Sequence, residues 1–225
     1  MSEIVLLSDE RITGLQVEEC GDRLVDLRDV EAIRLDSRLA DADGAYAHLR
    51  AALADRLVAA QSLLPRGLRL LVVEGYRPPA LQEQYFAEYA AELRRANPHW
   101  PAPHVHRQAS RYTSPPGVAP HVAGAAVDLT LCTYAGDELP MGTAVNASPE
   151  DSDGACITAA TNISPGEAGN RRILARALTA VGLVNYPTEW WHWSFGDRYW
   201  AFCTGAPAAR YGALATAGAG LVNTA

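Results

Sequence analysis

Two histidines and two carboxylates in the second half of the chain are spaced so that they could share one zinc ion. His121 and Asp128 stand in HVAGAAVD, and Glu189 and His192 stand in EWWH. A catalytic zinc typically takes three protein ligands from His, Asp, Glu or Cys and keeps one position for water. We therefore predict that His121, Asp128 and His192 bind Zn²⁺. Glu189 is predicted to be a base beside the bound water.

The sequence between these residues indicates how they could meet. Gly124 and the small alanines around it permit a tight turn from His121 to Asp128. Asp128 lies among apolar residues, where a carboxylate needs a partner or a metal. Glu189 and His192 are three positions apart and would face opposite sides of a flat strand, because side chains alternate along a strand. We therefore expect a bulge or kink between them.

Arg77, in GYRP, follows an apolar segment and completes a set that could hydrolyse an amide. Zinc lowers the pKa of a bound water and polarises a carbonyl. Glu189 could take the proton of the water and return it to the leaving amine. Arg77 is always charged and carries a planar fork of donors, so it could stabilise the oxyanion.

Each of these residues also has a purely structural interpretation. His121 alone could be a structural or surface histidine, EWWHW an aromatic core segment, and Arg77 an ordinary surface arginine. His104 and His106 form a rival zinc pair, since alternate residues of an extended segment share a face. They lie in a proline-rich stretch with no acid at a matching spacing.

Composition narrows the class of protein. With 225 residues, 48% of them hydrophobic and 20% charged, the chain can bury the core of one domain. A net charge of -7 argues against nucleic acid or an anionic membrane as partner.

The start of the chain lacks the basic region of a secretory signal, which predicts a cytoplasmic protein. The four cysteines lack metal or redox spacing and are predicted to be free thiols. Nothing in the pattern indicates an oligomeric state.

Hydrophobic periodicity mixes helices and strands without a regular alternation, which favours an α+β fold. We predict one domain over residues 1–203 and a weakly ordered Ala/Gly-rich tail over 204–225. Six prolines within 97–120 predict a long loop, and 141–163 is a second irregular stretch. The predicted elements are a helix over about 43–64, a strand over 68–74, a helix from Pro79, a strand over 125–132, and a helix that Ser164 caps and that ends near Gly182.

Five blocks of the sequence together resemble the zinc D-alanyl-D-alanine dipeptidases of the vancomycin-resistance (VanX-like) type. They occur in the family's order over about 68–200 and read GYRP, HVAGAAVDLTL, MGT, SPGEAGNRRIL and EWWHW. The resemblance implies a small central antiparallel sheet flanked by helices, as in zinc D,D-carboxypeptidases and Hedgehog-type domains. It also implies Zn²⁺ on His121, Asp128 and His192. Glu189 would be the base and Arg77 the stabiliser of the transition state.

The chain departs from this family at positions that would contact substrate. Ala119 and Val122 stand where serines are usual, and Asn146 stands where an Asp usually receives the ammonium group of the dipeptide. Loss of that carboxylate removes a charge-assisted contact, which is typically worth ~1.5–3 kcal/mol. We predict that Asn146, Ala119, Tyr76 and Trp191 form the substrate-binding shell.

Three functions follow from these observations. The first is zinc-dependent hydrolysis of a small dipeptide, D-Ala-D-Ala or a relative. The second is hydrolysis of another amide in specialised metabolism. The third is a zinc-stabilised binding module without activity. Glu189 and Arg77 argue against the third, since a binding module has no need of a base and an oxyanion partner.

Overall fold

The computed structural model describes residues 4–115 and 117–214. Within these ranges the chain forms six α-helices and seven β-strands. The helices are α1 (Glu10–Thr13), α2 (Ala51–Leu63), α3 (Pro79–Ala96), α4 (Ala102–Ala109), α5 (Pro165–Ala180) and α6 (Arg198–Thr204). The strands are β1 (Leu24–Asp26), β2 (Arg34–Leu35), β3 (His48–Arg50), β4 (Leu68–Glu74), β5 (Ala126–Thr133), β6 (Val184–Asn185) and β7 (His192–Ser194).

Five strands form the main sheet in the order β2-β4-β5-β7-β6. Its centre is antiparallel, as predicted, but β2 joins β4 in parallel at one edge. β1 and β3 form a separate antiparallel ladder. Helices and strands that mix in this way form an α+β fold, which confirms the prediction from the sequence.

The sheet is buried at its centre. Every residue of β5 from Ala126 to Cys132 is buried, and Asp128 is the one charged residue of that strand. Helices α2 and α5 contact each other and pack against β4 and β5 respectively. The tryptophans Trp190, Trp191 and Trp193 belong to the same core. A strand buried this completely reads as a nearly continuous apolar run, so a carboxylate within it requires an explanation.

Several predicted elements are confirmed. β4 covers 68–74, and α3 begins at Pro79, whose fixed φ suits the first helical turn. Helix α5 has the predicted capping box, in which Ser164 accepts from the Glu167 backbone and the Glu167 carboxylate accepts from the Ser164 backbone.

Three predictions about elements are corrected. Helix α2 begins at Ala51 rather than near 43, because 48–50 form β3 against β1. The predicted loop over 97–120 contains α4, which begins after Pro101 with another proline in its first turn. The tail is not weakly ordered throughout: Tyr211 is 2% exposed and packs in the main core. The rest of that tail, 215–225, lies outside the described residues.

Two further findings concern membrane crossing and the cysteines. None of the described helices combines the length and the apolar character that a membrane crossing requires. All four cysteines are free; Cys132 and Cys156 are buried, whereas Cys20 and Cys203 are exposed.

Candidate active site

Three local structures bring the predicted ligands together. His121 lies in a short 3-10 helix, Pro120–Ala123, that ends at Gly124 with a φ of 64°. The turn at Gly124 feeds the chain into β5, which carries Asp128. His192 opens β7 and stands directly opposite Asp128 in the antiparallel pair. The turn predicted between His121 and Asp128 is therefore present.

The three ligand atoms form a nearly equilateral triangle. His121 Nε2 lies 3.3 Å from Asp128 Oδ1. His192 Nδ1 lies 3.0 Å from Asp128 Oδ1 and 3.2 Å from His121 Nε2. Tetrahedral zinc with bonds of about 2.0–2.2 Å places its ligand atoms about 3.3–3.6 Å apart. The triangle therefore fits a tetrahedral zinc with small adjustments, and these three residues form the metal-ligand cluster found among the described residues.

A backbone carbonyl orients His121. Nδ1 of His121 donates to the carbonyl of Gly75 at 2.6 Å, which leaves Nε2 facing the other two ligands. A hydrogen bond of this kind fixes the tautomer of a metal-binding histidine. All three side chains are almost fully buried. A buried set of two imidazoles and one carboxylate is a donor set that zinc accepts.

Glu189 lies beside this triangle. Its Oε2 is 3.8 Å from His192 Nδ1. The residues from Glu189 to His192 form a turn, in which the His192 backbone N–H donates to the Glu189 carbonyl at 3.2 Å, and β7 begins only at His192. The kink expected from the sequence is this turn, and it puts both side chains on one side of the chain.

The two buried carboxylates have opposite pKa shifts. Burial raises the pKa of Asp128, but the imidazoles of His121 and His192 outweigh burial, and the pKa falls well below its usual range. Burial raises the pKa of Glu189 far above its ordinary value; Asp128 adds to this and Arg77 opposes it. The two histidines therefore favour the ionised form of Asp128, whereas burial disfavours the ionised form of Glu189. Divergent shifts of neighbouring acids are typical of catalytic pairs with different roles.

Arg77 is held rigidly at the edge of the same site. Its Nε donates to Glu74 Oε1 at 2.7 Å, and its Nη2 donates to the other oxygen of that carboxylate. Its Nη1 donates to Gln82 Oε1 at 2.7 Å, and the Gln82 amide donates to the Ser114 carbonyl. A guanidinium has five N–H donors, so two remain for a ligand.

These side chains share one cavity of about 240 Å³. Typical ligand pockets hold about 300–1,000 Å³, so this one suits a small substrate. Ala119 and Asn146, two of the predicted substrate contacts, are on its wall. The other lining residues are Leu7, Arg77, Gln82, Tyr85, Glu88, Tyr89, Glu92, Tyr112, Thr113, Ser114, Pro120, His121, Asp128, Tyr186, Glu189 and His192.

The structure corrects the other predicted substrate contacts. Tyr76 is fully buried against Leu24 and Ala45, away from the cavity wall. Trp191 is fully buried in the main core, so the aromatic-core interpretation holds for this residue. Val122 is buried too and does not line the cavity.

The rival zinc pair is also excluded as a shared ligand set. His104 and His106 belong to helix α4 rather than to an extended segment, so they do not share a face. Their rings contact Trp100 and Phe86 respectively.

Sequence reasoning missed several residues of the site. Glu74 and Gln82 hold Arg77, yet they read as the end of a strand and an ordinary helix position. Their spacing from Arg77, three before and five after, was the available signal. Leu7, from the N-terminal region, and Tyr112, from the proline-rich stretch, reach the cavity through tertiary packing and carry no local signal.

Residues 32–204 match the peptidase M15 family, described as D-ala-D-ala dipeptidase. The chain belongs to this family. It is therefore a metallopeptidase of a zinc-dependent family, as the resemblance implied. The match begins well before residue 68, so it takes in β2, β3 and α2 as well as the blocks recognised in the sequence.

Two D-alanyl-D-alanine dipeptidases agree with the family assignment. The chain is 32% identical over 151 residues to a D-alanyl-D-alanine dipeptidase of Enterococcus faecium, covering 65% of this chain and 72% of the relative. It is 29% identical over 93 residues to a D-alanyl-D-alanine dipeptidase of Synechocystis sp., covering 37% of this chain and 36% of that protein. Among solved structures, VanYB in complex with D-alanine-D-alanine matches with a TM-score of 0.43 and 17% identity, over 80% of this chain and 88% of that chain.

The turn after His121 gives a prediction about stability. A Cβ on Gly124 would lie 2.5 Å from Leu24 Cδ2, and the φ of 64° already disfavours a side chain. We expect Gly124→Ala to lower the free energy of unfolding by about 1–2 kcal/mol from the left-handed backbone and by about 1–3 kcal/mol more from overpacking. Denaturant titration measures the loss.

Gly205→Ala is the matched control. Gly205 has a φ of 70° but nothing within 4 Å of the added Cβ, so this variant should show only the backbone part. Equal losses in the two variants would contradict the packing contribution at Gly124.

Proposed function

We propose that this protein is a zinc-dependent dipeptidase that hydrolyses the amide bond of D-Ala-D-Ala or a closely related small dipeptide. One observation carries the proposal: the ligand triangle, a buried carboxylate and a buried arginine all face one small cavity. Family membership and the names of the two dipeptidase relatives support the choice of substrate.

Each residue has its own role in the proposed reaction. His121, Asp128 and His192 would hold Zn²⁺. When bound, the ion supplies a Lewis acid that lowers the pKa of water and polarises the scissile carbonyl. Glu189 would accept a proton from the attacking water and deliver it to the leaving amine, because its carboxylate lies beside the metal-ligand triangle, with Oε2 3.8 Å from His192 Nδ1.

Arg77 supplies positive charge where the oxyanion develops. The two N–H donors that Glu74 and Gln82 do not use can stabilise that charge. The contacts with Glu74 and Gln82 fix the orientation of the guanidinium before substrate binds. A donor fixed in advance needs no reorganisation during the reaction, which makes such contacts effective.

One residue of the cavity wall supports a second class of substrate. Asn146, neutral, lines the site where the resemblance leads us to expect a carboxylate for the substrate ammonium group. A dipeptide-like amide without a free amine is therefore the alternative substrate. Both alternatives use the same ligands, base and arginine.

A panel of substrates tests the proposal. Zinc-loaded protein is incubated with D-Ala-D-Ala, L-Ala-L-Ala, a mixed-chirality dipeptide and N-acetyl-D-Ala-D-Ala, and released amine is measured. Turnover of D-Ala-D-Ala at the highest kcat/KM supports the proposal. Preference for the acetylated compound supports the alternative, and no turnover of any member contradicts dipeptidase activity.

Removal of the metal should be visible without an activity assay. Ligand binding to the folded state adds RT ln(1 + [L]/Kd) to stability, which is about 2.7 kcal/mol at a hundredfold excess over Kd. We expect chelation to lower the melting temperature and added Zn²⁺ to restore it. In His192→Ala, which lacks one ligand, the restoration should be much smaller; a full shift in that variant would contradict the assigned site.

A further inference from the structure

One buried arginine contacts the turn that follows the zinc ligand His121. Arg50 is the last residue of β3 and is 3% exposed. Its Nε donates to the carbonyl of Ala123 at 2.8 Å, and Ala123 ends the short 3-10 helix that carries the ligand. Its backbone N–H donates to the Gly124 carbonyl at 2.9 Å. The side chain and the backbone of Arg50 therefore both hold this turn.

The segment that ends with β3 also holds the acceptor of the His121 ring. That acceptor is the carbonyl of Gly75, which binds Nδ1 of the imidazole. The Gly75 N–H donates to the Tyr46 carbonyl at 2.7 Å, and the N–H of Tyr76 donates to the His48 carbonyl at 2.7 Å. A Cβ on Gly75 would lie 2.5 Å from the His48 oxygen, so the two segments are in close contact. One segment thus contacts both the backbone turn and the ring acceptor of the ligand.

The remaining donors of Arg50 bind segments from the two ends of the described chain. Nη1 donates to the Asp22 carbonyl, and Nη2 donates to Glu19 Oε2 at 3.1 Å and to the Gly212 carbonyl at 3.4 Å. The guanidinium also lies 4.9 Å from the centre of the Tyr211 ring. Glu19 Oε2 accepts from the Gly212 N–H at 2.8 Å as well, so this carboxylate joins the two segments beside the arginine.

These two segments run side by side and reach the 3-10 helix of the ligand histidine. Backbone hydrogen bonds join residues 16–20 to residues 209–210. Farther along, the Leu214 N–H donates to the Val122 carbonyl at 2.9 Å, one residue after the ligand. Both segments lie outside residues 32–204, which match the family. The 3-10 helix is therefore supported from outside the part of the chain that the family match covers.

We propose that Arg50 is a positioning residue for the zinc ligand His121, and that it acts by holding the Ala123 carbonyl against the paired terminal segments. This proposal rests on the zinc site of the proposed function. A planar guanidinium with five N–H donors can bind several acceptors in fixed directions, whereas an ammonium group cannot. Without these contacts the 3-10 helix loses its side-chain anchor, so the imidazole is less well fixed before zinc binds.

The zinc affinity of Arg50→Lys tests the proposal without a substrate. We expect the dissociation constant for Zn²⁺, measured by competition with a chromophoric chelator, to rise by about 10–100-fold, the usual cost of losing contacts that orient a metal ligand. Cobalt(II) bound to the variant should give a visible absorption spectrum different from that of wild type, because the geometry of the ligands changes. Lysine keeps the positive charge beside Glu19, so a loss of charge does not explain either result.

Arg171→Lys is the matched control. Arg171 is also buried and lies over an aromatic ring. It too donates to three backbone carbonyls, those of Met141, Ala155 and Ile157. These carbonyls lie outside the elements that carry the zinc ligands, so this variant should lose stability but keep its zinc affinity and its cobalt spectrum. Equal losses of zinc affinity in the two lysine variants would mean that stability alone is responsible, which would overturn the proposal.

Glu19→Ala keeps the proposal testable if Arg50→Lys does not fold. The Glu19 side chain is 42% exposed, so its truncation leaves the core intact, yet it removes a partner of both Arg50 and Gly212. Zinc affinity should fall in this variant as well, by less than in Arg50→Lys. An unchanged affinity in Arg50→Lys, or in Glu19→Ala where the lysine variant is unfolded, would overturn the proposal.

The wild-type protein separates failure of this proposal from failure of the proposed activity. Zinc binding without turnover of any dipeptide would contradict only the activity, and the affinities of the variants would still decide the role of Arg50. A wild-type protein that binds no zinc would overturn the zinc site and the role of Arg50 together.

Discussion

Glu189→Ala is expected to abolish hydrolysis while the protein still binds zinc. General acid–base catalysis by one positioned side chain typically contributes about 10²–10⁴-fold, so kcat should fall by at least that factor. The ligand triangle does not include Glu189, so zinc content should stay at one ion per chain. Stopped assays with D-Ala-D-Ala and metal analysis of the same preparation measure the two quantities together.

The isosteric variant Glu189→Gln tests the same prediction without changing the size of the side chain. Gln keeps the size of the side chain and can still hydrogen-bond, but it cannot accept a proton, so it should be as inactive as alanine. The variant should not be less stable than wild type, because it removes a buried carboxylate whose pKa is strongly raised by burial. Glu83→Gln, on the exposed part of α3, is the control for a charge change and should keep full activity. Full activity in Glu189→Gln would contradict the assignment of the base.

The metal ligands could be predicted because several local signals agreed. A charged residue inside a buried, mostly apolar strand, Asp128, requires a partner, and Gly124 before it permits a tight turn back to His121. The structure brings both side chains together with His192 through the antiparallel pairing of β5 and β7. Strand pairing brings sequence motifs that lie far apart in the chain next to each other. Here each motif contains a residue whose chemical type is unusual for its surroundings.

The side-chain environment of Arg77 could not be read in the same way. A register shift between Val72 and Glu74 interrupts the pairing of β4 with β5 near the arginine. At an irregularity of this kind the alternation of faces no longer predicts direction. Tyr76, which was expected on the cavity wall, is buried against Leu24 and Ala45 instead, and the contacts of Glu74 and Gln82 with Arg77 were not predicted.

The walls of the cavity were the least predictable part of the fold. Helix α4 lies within a proline-rich stretch that reads as a loop, because its prolines are tolerated only in the first turn and before it. Leu7 and Tyr186 meet at the site from opposite ends of the chain. Contacts between such distant segments depend on the complete packing of the domain and leave no periodic pattern in either segment.

Arg77→Lys is expected to lower kcat by about 10²–10³-fold, the usual effect of losing one donor to an oxyanion. Lysine keeps the positive charge beside Glu74 but lacks the planar fork, so it cannot serve Glu74, Gln82 and a ligand at once. KM should change less than kcat, because the contact is strongest in the transition state. Arg56→Lys, a half-buried arginine on α2 outside the cavity, is the control and should leave both constants unchanged.

A pair of further variants separates the catalytic role of Arg77 from its structural role. Arg77→Met alone leaves the Glu74 carboxylate buried without a cation, which typically costs about 3–5 kcal/mol of stability. Adding Glu74→Gln removes that charge, so the double variant should recover most of the lost melting temperature. Activity should stay low in the double variant, because no donor replaces the fork at the oxyanion. Recovery of turnover together with stability would mean that Arg77 only balances Glu74, and the oxyanion role would then be wrong.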